Sequence, residues 1–157
     1  MRRSDREIKE FNEIIKVMEK CDVCRLALHD EDYPYIVPLN FGIEVNDDQV
    51  VLYFHGALEG KKYELMEKNN KVCFEMDCSH RLVTSKGMCT MEYESVIGYG
   101  SLELVADADK FHSLKILMKH YHKENFEFNT AVIPQTKVFR LIVHTMTGKT
   151  RMKKESE

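Results

Sequence analysis

The 157-residue sequence has no apolar run approaching the ~20 residues that a membrane-spanning helix needs. It has no charge excess either: 23 Lys and Arg stand against 26 Asp and Glu, a net charge of −3, which gives no bulk attraction to nucleic acid. The opening segment, MRRSDREIKEFNEIIKVMEK, lacks the apolar centre of a signal peptide. A cytoplasmic protein is therefore expected, with no nucleic-acid or membrane partner. The five cysteines (Cys21, Cys24, Cys73, Cys78, Cys89) are odd in number and unevenly spaced, unlike a secreted disulfide framework. Cys21-x-x-Cys24 has no second pair at zinc-finger spacing. The pair also ends a helix and opens a strand, the reverse of a thioredoxin-like motif, so reduced structural thiols and no metal are expected. Cys78 and His80 are a similarly weak metal hint. G-x-S-x-G, H-E-x-x-H and G-x-G-x-x-G are all absent. His120-Tyr-His122 falls in a helix, where i and i+2 share no face, and is expected to be a solvated pair.

What is present is a pattern of short strands with helices inserted singly. Ser4-Asp5-Arg6-Glu7 reads as a capping box. Phe11, Ile14, Ile15 and Met18 follow at helical spacing, predicting an amphipathic helix to about Lys20. VCRLALHD, YPYIVPLNFGIEV and QVVLYFH then predict a three-strand meander. Pro38 inside the second strand cannot donate to a ladder and marks an edge or a bulge. A helix over Lys61–Lys68 leads to the strand KVCFEMD and a polar loop from Cys78 to about Cys89. A long strand, about Thr90 to Val105, carries Gly98 and Gly100 and is expected to bend or bulge. Asp107 caps a helix with the stripe Phe111, Leu114, Leu117, Met118 and Tyr121. ENFEFNTAVIPQ reads as a loop, TKVFRLIVHTM as the last strand, and TGKTRMKKESE as a polar tail. About six strands and three peripheral helices make an α+β fold with a mainly antiparallel, closed or nearly closed barrel. Residues 1–150 form one domain and 151–157 a tail. Such a barrel is filled by its own side chains, so a sizeable ligand must sit outside or between two chains.

One stretch carries chemistry. In YFHGALEGKKYELMEKNN a strand stops on His55-Gly56, and a helix opens after Gly60 with Lys61 and Lys62. Cations at the positive end of a helix are unfavourable unless an anion sits between them and the backbone amides. Gly56 and Gly60 allow a ligand close to the backbone, and Lys61 and Lys62 can neutralise a dianion such as phosphate. A solvated loop is the alternative. Upstream, PYIVPLNFG frees backbone groups around Pro38 that could serve the polar edge of a flavin; an edge strand with a bulge reads equally well.

PYIVPLNFG, LYFHGALEGKKYELMEKNNKVCFEMD, YESVIGYGSLELV and TKVFRLIVHTMTGK, in that order, resemble the pyridoxamine 5′-phosphate oxidase-like family, the FMN-binding split barrels, over about Val17 to Lys149. Within it the chain is most similar to nitroimidazole-resistance proteins. The resemblance implies a split β-barrel homodimer with FMN at the interface. It places Val37, Pro38, Leu39 and Asn40 along the isoalloxazine, and His55, Gly56 and Ala57 beside the flavin. Gly60, Lys61 and Lys62 would hold the phosphate. Tyr93, Glu94 and Ser95 would approach from the other subunit, with Lys149 a further candidate. The basic C-terminal substrate motif of pyridoxamine oxidases is missing; Arg140 and His144 sit in an ordinary strand pattern. The expected activity is an FMN-dependent reductase. It would pass electrons from a reduced nicotinamide or another donor to a small acceptor, a nitroaromatic being one candidate, with His55 as the catalytic side chain. The alternative is a flavin- or haem-binding carrier or sensor without turnover.

Overall fold

The computed structural model describes residues 2–85, 87–122, 127 and 129–152. A short strand β1 (Glu7–Ile8) precedes helix α1 (Phe11–Lys20). Strands β2 (Cys24–Leu28), β3 (Tyr35–Leu39), β4 (Gly42–Asn46) and β5 (Gln49–Gly56) follow. Helix α2 (Lys61–Lys68), strands β6 (Lys71–Ser85) and β7 (Met88–Leu104), helix α3 (Lys110–Tyr121) and strand β8 (Lys137–Arg151) complete the order. The strands form one antiparallel sheet, β3-β2-β6-β7-β8-β5-β4, with β1 added to the far end of β8.

β3 and β4 are the two edges of this sheet, yet only Asn40 and Phe41 join them. Two residues reach no more than about 10 Å, so the edges must lie close together and the sheet must curl. The result is a split barrel: β3 and β4 face each other across a seam without pairing. The α+β split-barrel class agrees with expectation. The count rises to eight strands because YPYIVPLNFGIEV is two strands rather than one and because β1 joins the sheet. The expected meander is accordingly corrected: β3 pairs with β2, and β4 with β5.

Alternate residues of the strands point inward and fill the barrel. Phe41, Phe54, Phe74 and Phe139 are fully buried among Leu26, Leu52, Met76 and Leu141. Phe54 and Phe139 stack at 5.2 Å between ring centroids. Each such side chain contributes about 1.5–3 kcal/mol relative to exposure. α3 lies against β4 so closely that a Cβ on Gly42 would stand 2.5 Å from the backbone of Leu117. The side chains of His120 and Tyr121 tie α3 down. His120 Nε2 lies 2.7 Å from the Cys21 carbonyl oxygen, and Tyr121 donates to the Asp22 carbonyl at 2.8 Å while accepting from the Phe41 N–H at 2.9 Å. His120 is thus a clasp on the seam rather than half of a solvated pair.

Other departures have physical reasons. The Ser4 capping box caps no α-helix, because Glu7 and Ile8 pair with Lys149 and Gly148 of β8; a long-range ladder outweighs the local cap, and α1 begins at Phe11. Cys78 to Cys89 is not a loop: β6 and β7 continue as a hairpin through a register shift between Cys78 and Arg81. Alternation fails at that bulge, which is why the stretch reads as irregular. A second shift falls at Tyr99/Gly100, where the glycine-bearing strand was expected to bulge. Asp107 opens a short 3-10 turn (Asp107–Asp109) ahead of α3 rather than α3 itself. The segment read as a loop before the last strand contains a 3-10 turn, Thr130–Gln135; residues 124–126 and 128 of it lie outside the described residues. β8 runs to Arg151, five residues into the expected tail, because Thr147 to Arg151 continue the ladder with β7. No helix among the described residues is long and apolar enough to cross a membrane.

Candidate functional site

β5 delivers Gly56 to the mouth of the barrel opposite Lys137, the first residue of β8. The chain turns through Gly60, whose φ of 143° suits glycine, and α2 begins. Its first turn leaves backbone N–H groups without intrahelical acceptors. Around Gly56 three side-chain groups converge. A Cβ there would stand 2.7 Å from the Tyr63 hydroxyl and 3.0 Å from Lys62 Nζ, so only glycine leaves this cradle open. Lys62 Nζ and Lys137 Nζ lie 4.5 and 4.4 Å from the centroid of the Tyr63 ring. Among the described residues no carboxylate pairs with either ammonium. Tyr63 is 4% exposed, and among the described residues its buried hydroxyl has no hydrogen-bond partner. Burial pushes its pKa up to about 12, so it remains a protonated donor. A buried donor without an acceptor costs about 1–3 kcal/mol, and a bound anionic oxygen would remove that cost.

Lys61, at the same helix end, is different. Its ammonium pairs with Asp30 at 2.5 Å and lies 5.3 Å from the centroid of the Tyr35 ring. Asp30 is held below the usual carboxylate range by that hydrogen bond and by the Glu31 N–H. Lys61 therefore joins the cradle to the start of β3 rather than standing ready for an anion. His55, exposed at the end of β5, has a lowered pKa, first because it has lost hydration and second because Lys62 is near. Neutral imidazole is the resting form near pH 7.

β3 presents the next group. It is an edge strand, as Pro38 indicated, so its outer N–H and C=O groups have no strand partner. Val37 and Leu39 are half-buried against the core, while Pro38 is exposed. Asn40 is exposed at the seam and donates to the Asp22 carbonyl at 3.3 Å. Ala57 is exposed beside His55.

The third group lies far away. Ser95 registers with Lys149 on β8, and Tyr93 with Arg151. Lys149 Nζ is 5.4 Å from the Tyr93 ring centroid. Ser95 and Lys149 line one shallow cavity of about 400 Å³ with Ile97, Tyr99 and Met146. Lys137 and Lys149 are twelve residues apart on one strand, about 40 Å at roughly 3.3 Å per residue. One chain cannot bring this group to the cradle. Glu94 points to the opposite face, where it pairs with Lys20 and accepts from Ser79 at 2.8 Å. Burial raises its pKa, but the bonds from Lys20 and Ser79 outweigh that and hold it below the usual value.

Two residues of the cradle, Tyr63 and Lys137, escaped the sequence reading. Tyr63 is adjacent to the GKK signal, but its orphaned hydroxyl needs three dimensions to see. Lys137 reaches Gly56 only through the β5–β8 register. Arg140 is engaged by Glu103 at 2.9 Å. His144 is skipped in the ladder at the Tyr99/Gly100 bulge. His80 pairs with Asp77 at 2.9 Å, and no group of three metal-ligating side chains occurs among the described residues.

The curled antiparallel split barrel is shared with known proteins. The pyridoxamine 5′-phosphate oxidase family matches residues 10–150, and the chain belongs to it. Among solved structures, a Bacteroides thetaiotaomicron protein described as a candidate 5-nitroimidazole antibiotic resistance protein is 34% identical. It covers 92% of this chain and 86% of its own, with a TM-score of 0.79. The flavocytochrome Anf3 of Azotobacter vinelandii (18% identity, 98% and 72% coverage, TM-score 0.78) shares the fold. So does the FAD and heme binding protein of Mycobacterium smegmatis (16%, 97% and 76%, 0.79). No curated protein matches significantly.

Proposed function

We propose that this chain is a flavin-dependent oxidoreductase that holds FMN at the interface of a homodimer. The observation that carries the reading is the buried Tyr63 hydroxyl beneath Gly56, flanked by the ammonium groups of Lys62 and Lys137, none of which has a polar partner among the described residues. Those donors suit a phosphate dianion, and each charge-assisted bond is worth about 1.5–3 kcal/mol. The free edge of β3 from Val37 to Asn40 is the nearest source of alternating donors and acceptors for a planar heteroaromatic ring. The distance between the cradle and the Tyr93–Ser95–Lys149 group supports a second subunit as the other half of the site. So does the open sheet face carrying Ile36, Ile97 and Tyr99, which are 61%, 46% and 57% exposed.

Bound flavin would supply the redox chemistry, accepting electrons from a reduced nicotinamide or another donor and passing them to a small acceptor such as a nitroaromatic. The protein's part is placement and local charge. Lys62, Lys137 and Tyr63 fix the phosphate. His55 orients the acceptor and, starting neutral, exchanges a proton with it. The absorption spectrum of the purified protein, with FMN added and excess removed, tests this first. Flavin bands that survive desalting and bleach with NADH or NADPH support the enzyme; a protein that keeps no FMN refutes it. A carrier without turnover is the second reading, favoured by the exposed neutral His55, which could also ligate a haem iron. A Soret band, or flavin that no donor reduces, would select it.

A further inference from the structure

Two of the free cysteines meet at a point that the proposed site does not use. Cys21 is the residue after α1, buried, and its Sγ lies 3.2 Å from the Val17 carbonyl oxygen. Cys78 sits on β6 at the edge of the bulge, and its Sγ lies 3.9 Å from the same oxygen. Elements far apart in sequence therefore place two thiols around one acceptor. Cys78 is half-buried, and Ser79 Oγ stands 3.6 Å from its sulfur. Ser79 has φ of 58°, a left-handed conformation that shows how the bulge turns this segment. Val17, Lys20 and Glu94, which neighbour the pair, line a groove of about 650 Å³ open to solvent. Burial, and then the neighbouring Cys78, push the Cys21 thiol above its usual pKa, so Cys21 is the poorer first nucleophile.

We propose that Cys21 and Cys78 form an oxidisable pair, closed to an intramolecular disulfide by a hydroperoxide. The thiolate of Cys78 attacks one peroxide oxygen and the O–O bond breaks. Water or an alcohol leaves with the thiol proton, and Cys78 becomes a sulfenic acid. The sulfur of Cys21 then attacks the Cys78 sulfur and the S–OH bond breaks. The Cys21 proton leaves with the hydroxide as water. Two thiols lose two electrons and one peroxide is reduced. The bond staples the end of α1 to the bulge, directly across from Glu94 in the ladder and beside Tyr93 and Ser95.

The test uses the full chain without added flavin, so its outcome is independent of the FMN proposal. Protein treated with hydrogen peroxide is alkylated, digested without reductant and mapped by mass spectrometry. The expected product is one peptide pair linked through Cys21 and Cys78, lost on reduction and absent from both Cys21→Ser and Cys78→Ser. Cys24→Ser and Cys73→Ser should leave it intact. The cross-link should raise the Tm by several degrees, since it constrains the unfolded chain across a long loop. A map showing only Cys21–Cys24, only intermolecular links through the exposed Cys89, or only oxidised Cys78 without a bond overturns the proposal. A Tm that falls on cross-linking also overturns it, because the native geometry would then resist the bond.

Discussion

At the α2 end of the barrel, Lys62 and Lys137 lie over Tyr63; at the opposite end of β8, Lys149 lies over Tyr93. Both are lysine–tyrosine contacts that draw a lysine from β8, but their surroundings differ. Tyr63 is buried, its hydroxyl has no partner, and two ammonium groups share one ring without a carboxylate between them. Tyr93 is half-exposed, and hydrogen bonding to Lys149, with Arg6 assisting, lowers its pKa against an opposing loss of hydration. The second contact satisfies itself. The first gathers two ammonium groups around a buried spare donor. Under the proposal above the first would act as a preorganised anion site, and the Tyr93 contact would complete a site from the second subunit.

Filling the cradle should break this contrast most severely. Gly56→Val places carbon where the Tyr63 hydroxyl and Lys62 Nζ already lie. FMN affinity is expected to fall at least about 100-fold, roughly 3 kcal/mol, which is the loss of one or two charge-assisted bonds. Fluorescence titration of FMN against wild type and Gly56→Val measures it. Undiminished binding would place the phosphate elsewhere.

The lysines grade the comparison. Lys62→Met removes an ammonium that no carboxylate offsets, and about a 10- to 100-fold loss of FMN affinity is expected. Lys149→Met, on the solvated contact, should cost less, about 3- to 10-fold. Lys61→Met should cost least, within about threefold, because Asp30 already occupies that charge. Isothermal titration of the three variants checks the order. If Lys61→Met proves the most damaging, the Asp30 pair must break on binding and the assignment within the cradle is reversed.

How far this site could be read from sequence follows from which interactions are local. Gly56, Gly60 and the two lysines stand within seven positions of each other, and their conflict with the helix dipole is visible in the letters alone. Pro38 likewise announced an edge or a bulge, and β3 proves to be an edge. Lys61 and Lys62 look equivalent in sequence, and only Asp30, some thirty residues upstream, separates a paired lysine from an unpaired one. Lys137 depends on register between strands eighty residues apart. The division of the opening meander between two sheet edges turns on the Asn40–Phe41 corner, which Asp22 and Tyr121 hold from outside the segment. The helix itself forms as read, but its start at Ser4 was misplaced for a related reason: β8 competes for Glu7 and Ile8, and no local cap reports a competitor.

Tyr63→Phe separates stability from function. Removing a buried hydroxyl that bonds to nothing is expected to leave the free protein as stable, or more stable by up to about 1 kcal/mol. The same change should weaken FMN several-fold and reduce the protection that inorganic phosphate gives against unfolding. Urea melts with and without phosphate check both arms. A variant clearly less stable in the free state would mean that the hydroxyl has a partner after all.

The smallest effect reads the cradle's charge directly. Loss of hydration and then Lys62 lower the pKa of His55 in the folded protein. In the unfolded chain it returns to about 6.5. Between those two values the unfolded state binds more protons, so stability rises with pH across that window and is lost on acidification below about 6.5. The dependence vanishes above it, where both states hold neutral imidazole. The wild type should therefore lose Tm faster than His55→Gln as the pH drops through this range. In NMR titrations Lys62→Met should raise the His55 pKa, though not to its unfolded value, because desolvation is the larger cause and remains. Inorganic phosphate added to the wild type should raise it too, by compensating the same ammonium, and should have less effect in Lys62→Met. A His55 titration that ignores both the substitution and the phosphate would show that the histidine and the cradle are electrostatically separate, and would remove His55 from any role tied to an anion held there.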